Sequence, residues 1–351
     1  MRKQITMRDI ARITGVSPKT VSRVVNNQGE ISEVTRKRVQ EAIETLGYSP
    51  NITARSLVQG RSNTIAVVAW GIEYYGPSRV VVGIERQADE YGYSLLLTLL
   101  RAKETDQKIR DTLKDLAARR VDGIVFAIPE FNDNRSWINE EVLNRLPPIV
   151  FLNMESRSGI NIVSVDNKAG ARLAVTHLLE QGRKKIATIC GPLRWWEARQ
   201  RLAGWKEVLD QAGFFTSGDV IAEGDWSAES GERAMRQLLE SAPNIDAVFA
   251  ANDQMALGAL GVLHQRGIDV PDDIAVVGFD NVPDSAYFYP PLSTVDQPLL
   301  ELGKVGVQKL NQMIATVRHD DDGMEKSTTL LMPKMIVRQS SYIDNLKKNS
   351  L

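Results

Sequence analysis

Apolar residues follow two rhythms along the 351-residue chain. As far as Gly47 they recur every three to four positions, the period of an amphipathic helix; from Thr64 short β-rich runs alternate with helical stretches. In the first region Thr6 and Asp9 are spaced to cap a helix whose Ile10 and Ile13 share one face and which ends at Gly15. Ser17 caps a second helix, and Pro18 is tolerated at its first turn, where the missing N–H has no intrahelical partner. Val21, Val24 and Val25 form its apolar stripe. Ser32 starts a third helix, carrying Val34, Val39, Ala42, Ile43 and Leu46 at helical spacing. Two short helices joined through Ala11, Gly15, Val16 and Ser17 make a helix-turn-helix.

In the second region the apolar runs are Ile65–Trp70, Tyr93–Leu100, Asp122–Ile128, Ile149–Met154, Ile162–Val165, Ile186–Cys190, Ala247–Ala250 and Ile274–Phe279. Helical patterns such as Val80–Tyr91, Asp106–Arg119, Ala169–Glu180 and Glu197–Gln211 fill the gaps. Strand–helix alternation predicts parallel sheets covered on both faces. The units are too many for one comfortable sheet, so two doubly wound subdomains are expected, with ligands in the cleft at the carboxyl ends of the strands.

Charge changes the reading of the first region. The chain carries a net charge of −1, yet residues 1–62 hold eleven Lys and Arg against five acids, a net of +6, which leaves −7 for the rest. A basic module on an acidic body is the footprint of a polyanion binder. The second helix presents Pro18, Lys19 and Thr20 at its start, with Ser22, Arg23 and Asn26 further along. In a helix-turn-helix these positions meet base edges or phosphates in the major groove.

Composition, at 43% hydrophobic and 25% charged, is that of an ordinary globular protein. No apolar stretch approaches the roughly 20 residues of a membrane span. Charge stands where a signal peptide would be apolar, and Cys190 alone offers neither a disulfide nor a thiolate cluster. A cytoplasmic protein with no membrane partner, metal or cofactor is expected. His177, His264 and His319 are far apart, and no nucleophile–base constellation or phosphate loop is visible, so the chain reads as a non-enzyme. The strand ends instead carry groups suited to a neutral polyol. Asn252 and Gln254 follow one strand, Asp280 another, Arg199 opens a helix after Gly191-Pro192-Leu193, and Trp226 can cover a sugar ring.

The run from Met7-Arg8-Asp9-Ile10-Ala11 through Gly15-Val16-Ser17 to Thr20-Val21-Ser22-Arg23-Val24-Val25-Asn26 resembles the headpiece of the lactose/galactose repressor family. So does Tyr48-Ser49-Pro50-Asn51-Ile52-Thr53-Ala54-Arg55-Ser56-Leu57. The resemblance implies an all-α helix-turn-helix headpiece plus hinge helix, followed by an α/β periplasmic-binding-protein-like (type I) core of two doubly wound parallel-sheet subdomains. The headpiece would span 1–49 and the hinge helix and linker 50–62. The core would span 63–340, with one subdomain at 63–163 and 295–320, the other at 164–294 and 325–340, and a short tail at 341–351. The family's hinge helix forms on the operator and enters the minor groove in pairs. Leu57 would be the wedge, Ala54 would pack against its dimer mate, and Asn51 and Arg55 would join Thr6 and Ser17 in the DNA interface. A segment ending at Gln59-Gly60 is too short to hold a helix alone, and a plain linker is the other reading.

The resemblance extends through the core to about Gln339. It implies that Arg199, Asn252 and Asp280 bind hydroxyls, that Trp226 stacks on a ring, and that Gln254, Leu152 and Pro77 complete the wall. Departures from the family's lactose-type pattern are Asn153 for an aspartate, Ala127 for an asparagine, and Trp195 and Trp196 for small serines. Tyr74 and Tyr75 stand near Pro77. The pocket is expected to be more aromatic, suiting a longer or differently shaped saccharide. The family also includes purine and sugar-phosphate sensors, for which Arg194 and Arg201 are candidate second cations. The tail lacks leucine heptads, so a homodimer is expected, and His319–Gly323 reads as an exposed acidic loop. The expected function is a dimeric repressor released from a pseudo-palindromic operator by a saccharide. The alternatives are a purine or sugar-phosphate sensor, with a corepressor or activator mode, and a solute-binding clamshell protein.

Overall fold

The computed structural model describes residues 5–26, 28–48, 61–101, 106–214, 217–318 and 325–342, and the chain divides into two compact units, Met1–Ser62 and Asn63–Leu351. The expected hinge helix with Asn51, Ala54, Arg55 and Leu57 lies outside the described residues, as do 319–324 and the tail beyond Tyr342.

The first unit holds α1 (Met7–Thr14), α2 (Pro18–Val25) and α3 (Glu33–Leu46). Thr6 and Asp9 form a reciprocal cap, the Asp9 amide donating to Thr6 Oγ1 at 3.3 Å and the Thr6 amide to Asp9 Oδ2 at 3.0 Å. Gly15, at φ 64°, turns the chain toward α2. Ile10, Ala11, Val21, Val24, Val39 and Tyr48 form the core. Two expected core residues are exposed: Ile13 at 57% and Val34 at 78%. α1 buries Ile10, Ala11 and Thr14, an arc that turns Ile13 outward, and Val34 sits in the first turn of α3, clear of the buried Val39.

In the second unit, β1 (Thr64–Ala69), α4 (Tyr75–Glu90), β2 (Ser94–Leu99), α5 (Asp106–Ala118) and β3 (Gly123–Ala127) are followed by α6 (Glu140–Leu143), β4 (Ile149–Leu152) and β5 (Asn161–Val165). Then come α7 (Asn167–Glu180), β6 (Ile186–Cys190), α8 (Trp196–Gln211), β7 (Ile221–Glu223), α9 (Ala228–Ser241), β8 (Ala247–Ala250), α10 (Asp253–Gln265) and β9 (Ala275–Asp280). β10 (Ser293–Asp296), α11 (Leu299–Arg318), β11 (Thr328–Leu331) and β12 (Lys334–Ile336) complete the described chain.

One sheet runs β11-β5-β4-β3-β1-β2, all parallel; the other runs β12-β10-β9-β8-β6-β7, parallel except for the β10–β12 pair. The central strands β1, β3, β4, β6, β8 and β9 are almost wholly buried, as a sheet covered by helices on both faces requires. The chain changes sheet after β5, after β10 and after β11. The third crossing corrects the expected boundary: β11 pairs with β5 in the first sheet, although residues 325–340 were expected in the second subdomain. β10 likewise keeps residues 295 and 296 in the second sheet. Pro333, between β11 and β12, has no N–H to continue a ladder, so the switch falls there.

Glycine lets α4 and α11 touch backbone to backbone. A Cβ on Gly83 would lie 2.2 Å from the Leu300 carbonyl oxygen, and one on Gly303 would lie 2.3 Å from that of Val80. That approach brings Val80 and Leu299 into the lining of the cavity between the sheets. Cys190 is free and buried, and burial pushes its thiol up to about 12, with Glu223 adding to the shift. Among the described residues no helix is long and apolar enough to cross a membrane, and no cluster of His, Cys, Asp and Glu could hold a metal.

Candidate functional site

The cavity lies between the two sheets, and strand ends supply its walls. The turn after β1 and the start of α4 give Glu73, Tyr74, Tyr75 and Pro77; the ends of β3 and β4 give Ala127, Leu152 and Asn153. From the second sheet come Trp195, Glu197 and Arg201 around α8, Trp226 after β7, and Asn252 and Gln254 after β8. Asp280 ends β9, Gln297 follows β10, and Leu299 opens α11. Several of these residues hold backbone conformations that L side chains seldom adopt, with φ 49° at Asn153, 77° at Trp226 and 112° at Asp280. Such strain concentrates where a fold fixes a binding group.

Aromatic rings from both subdomains meet at one end. Trp195 stands edge-on to Trp70 at 5.1 Å and to Trp226 at 5.8 Å, while Trp70 stacks on Tyr74 at 5.7 Å. The backbone crosses the cleft beside them. The Asn132 amide donates to the Arg194 carbonyl at 2.9 Å, and the Trp196 amide donates to the Glu130 carbonyl at 2.8 Å.

The other end is polar. Arg201, 6% exposed, is held by its Nε donating to Asn167 Oδ1 at 2.8 Å and by a bond from Nη1 to the Ala251 carbonyl. Its guanidinium lies 3.6 Å from Asp280 Oδ1, 3.9 Å from the centre of the Phe279 ring and 5.5 Å from that of Trp226. Gln297 Nε2 donates to Asp280 Oδ1. Burial pushes the Asp280 carboxyl up to about 6, against the pull of Arg201 and Gln297. Asn252 caps α10 through Oδ1, which accepts the Met255 amide at 2.9 Å; its Nδ2 donates to Gln254 Oε1 and to the Trp226 carbonyl, both at 3.0 Å. This fixed array of a guanidinium, a carboxylate and three amides beside aromatic faces can hold hydroxyls and cover a ring.

Tyr74, Pro77, Leu152, Asn153, Trp195, Trp226, Asn252, Gln254 and Asp280 are brought together on this wall. Arg199 and Trp196 are not. Arg199 is exposed, and its Nη1 donates to the Leu193 and Arg194 carbonyls at 3.1 Å each. On a helix turning about 100° per residue, Glu197 and Arg201 share the cavity face and Arg199 points away. Arg201 therefore occupies the place expected for Arg199. Trp196 is buried outside the wall, behind its amide bond to Glu130. The sequence reading missed Glu73, Glu197 and Gln297; the i, i+4 spacing of Glu197 and Arg201 was the available signal for the second of them.

In the first unit, α2 exposes Pro18, Lys19 and Arg23, while Thr20, Ser22 and Asn26 are half-buried. Ser17 Oγ accepts the Thr20 amide at 3.1 Å and lies 2.9 Å from Thr20 Oγ1. The Thr6 hydroxyl, exposed at the start of α1, donates to Asp9 Oδ2 at 2.7 Å. Gly29, at φ 72°, lets the chain pass the Arg23 stem, where a Cβ would lie 3.6 Å from Arg23 Cδ.

Comparison with known proteins agrees with this architecture. Residues 6–51 match the model of bacterial regulatory proteins of the lacI family, and 175–341 match a periplasmic binding protein-like domain. The chain is 34% identical to the lactose operon repressor of Escherichia coli strain K12 over 341 residues, 97% of this chain and 91% of that protein. It is 31% identical to the HTH-type transcriptional repressor PurR of Haemophilus influenzae over 338 residues, 95% of this chain and 98% of that one. The crystal structure of the lac repressor dimer bound to operator and the anti-inducer ONPF superposes with a TM-score of 0.86 at 32% identity, covering 97% of this chain and all of that one. With a helix-turn-helix ahead of a two-subdomain effector clamp, and this similarity along nearly its whole length, the chain belongs to the lacI family of bacterial regulatory proteins.

Proposed function

We propose that this regulator is a cytoplasmic homodimeric repressor that grips a pseudo-palindromic operator through α2 and is released by an uncharged saccharide. The observation that carries the choice of effector is the charge of the cavity. Among the described lining residues, Glu73, Glu197 and Asp280 set three carboxyls against the single guanidinium of Arg201. A phosphate would meet net repulsion there, whereas hydroxyls accept hydrogen bonds from amide and guanidinium N–H groups and donate them to carboxylates. The Trp195, Tyr74 and Trp226 rings supply the apolar face that a pyranose presents. Arg194, the other cation considered for a phosphate, is not on the wall.

The cavity draws on both sheets, so an effector binding there favours one relative orientation of the subdomains. A coupling of about 1–3 kcal/mol between effector and operator is the usual size of such an effect. The chain is a regulator and not an enzyme, as its relatives along nearly the full length are transcriptional repressors. A thermal-shift screen of the purified protein against neutral mono- and disaccharides, purines and sugar phosphates tests the reading. A neutral saccharide at about 100 times its Kd stabilises the fold by about 2.7 kcal/mol. A response confined to purines or phosphates contradicts it.

A further inference from the structure

We propose that Glu197 is a specificity-determining residue of the cavity, its carboxylate accepting a hydrogen bond from one hydroxyl of the effector. The proposal rests on the saccharide reading and goes beyond it by assigning one side chain and its ionisation.

Glu197 lies in the first turn of α8, four residues before Arg201, and lines the cavity although it is only 7% exposed. Its Oε2 is buried without a hydrogen-bond partner. A buried acceptor without a partner is costly, more so if charged, so a donor supplied by the effector removes that penalty on binding. Trp226 Nε1, on the same wall, is likewise buried without a partner and offers a donor. A polyol carries donors and acceptors together, as these two residues require.

The charged groups around Glu197 come from two elements. Arg201 stands on its own helix; Arg135 and Glu130 stand on the segment after β3, where Arg157 holds Glu130 Oε1 at 2.6 Å. Burial outweighs the two guanidinium groups and pushes the carboxyl up to about 7. Near neutral pH this group is therefore partly protonated before the effector binds. A hydroxyl donor binds the ionised form, so binding releases a proton to solvent and affinity is full only above that value. Below it, affinity falls by up to about tenfold per pH unit until the carboxyl of the bound state is reached. Asp280, facing Arg201 and Gln297, has its midpoint lower, at about 6.

The test is calorimetric titration of the full-length protein with lactose, cellobiose, maltose, glucose and ribose, at about pH 8 in phosphate and in Tris and at about pH 6.5 in phosphate and in imidazole. The proposal expects wild-type affinity for the binding sugar to drop at the lower pH, with proton release visible as a difference between the buffers. Glu197→Gln should bind about tenfold or more weakly at pH 8, lose most of the pH dependence between 6.5 and 8 and keep its unfolding midpoint. Glu197→Asp, which withdraws the oxygen but still ionises, should weaken binding and keep the pH dependence, and it carries the test should the Gln variant fail to fold. Equal affinity in wild type and Glu197→Gln, or an unchanged pH dependence in that variant, overturns the role of Glu197 and leaves the saccharide reading standing. Binding of none of these sugars to the wild type overturns both.

Discussion

Trp195 of the second subdomain stands edge-on to Trp70 of the first, their ring centres 5.1 Å apart. The Trp195 ring also touches Tyr74 and Phe131 from the first subdomain, and a backbone bridge joins Phe131 to Trp195. One side chain thus lines the cavity and ties the two halves of the clamp. Trp195→Ala should cost about 3–5 kcal/mol in denaturant unfolding and weaken effector binding, while Trp195→Phe should retain most of both. Unchanged effector affinity in the Ala variant would remove this ring from the binding wall.

Arg201 and Arg199 separate cleanly. Arg199, exposed and bonded to two carbonyls of the preceding turn, should tolerate Ala within about 0.5 kcal/mol, with the effector response intact. Arg201→Lys keeps the charge but loses the fork that joins Asn167, Ala251 and Asp280, and should weaken effector binding by about tenfold or more. Isothermal titration of both variants decides which arginine serves the cavity.

These two arginines also show how far the sequence could be read. Strand–helix alternation is legible because a covered parallel strand must be apolar on both faces, and most expected strands fall within one or two residues of the observed ones. The caps at Thr6, Ser17 and Ser32 are legible because capping uses residues local in sequence. The cavity is less so. Whether Arg199 or Arg201 faces it depends on the rotation of α8 about its axis, which is fixed by Gly204 packing against the Lys168 carbonyl at a distance no local pattern encodes. The β11–β5 pairing joins residues more than 160 positions apart and is invisible to periodicity.

Gly191 supports the Trp226 ring, since a Cβ there would lie 2.1 Å from Trp226 Cη2. Gly191→Ala should displace the indole and abolish the effector response while operator binding persists. A near-normal response, measured by calorimetry beside a DNA-binding assay, would show that the ring position is not required.

Asp253 sits behind the cavity with Oδ1 accepting the Thr294 hydroxyl at 2.5 Å and Oδ2 accepting the Val282 amide at 2.8 Å. Burial, then the nearby Asp280, pushes its carboxyl from 3.8 up to about 8. The native state therefore binds a proton that the unfolded chain releases, and the stability this provides is lost as pH rises from about 4 to 8. Relative to wild type, Asp253→Asn should gain stability with rising pH over that window, by at most about 1.4 kcal/mol per unit. Urea unfolding of both proteins at several pH values checks the sign; a difference independent of pH would contradict it.

Lys19 and Arg23 project from α2 into solvent, as groups that meet a polyanion must. Replacing either by Ala should weaken binding to a selected operator, by about 1–3 kcal/mol for a base contact, or lower the salt slope by about one for a phosphate contact. Unaltered affinity and slope in both variants would exclude α2 as the reading helix.

The most direct test of the whole account is release from DNA. An operator selected from random sequence by the full-length protein is labelled, and fluorescence anisotropy is followed while neutral saccharides, purines and sugar phosphates are added. The account predicts that at least one neutral saccharide raises the operator Kd by about tenfold or more, a coupling within the usual 1–3 kcal/mol, and that Arg201→Lys requires about tenfold or more saccharide for the same effect. Release by a purine or a sugar phosphate alone, or tighter operator binding with a saccharide, would contradict it.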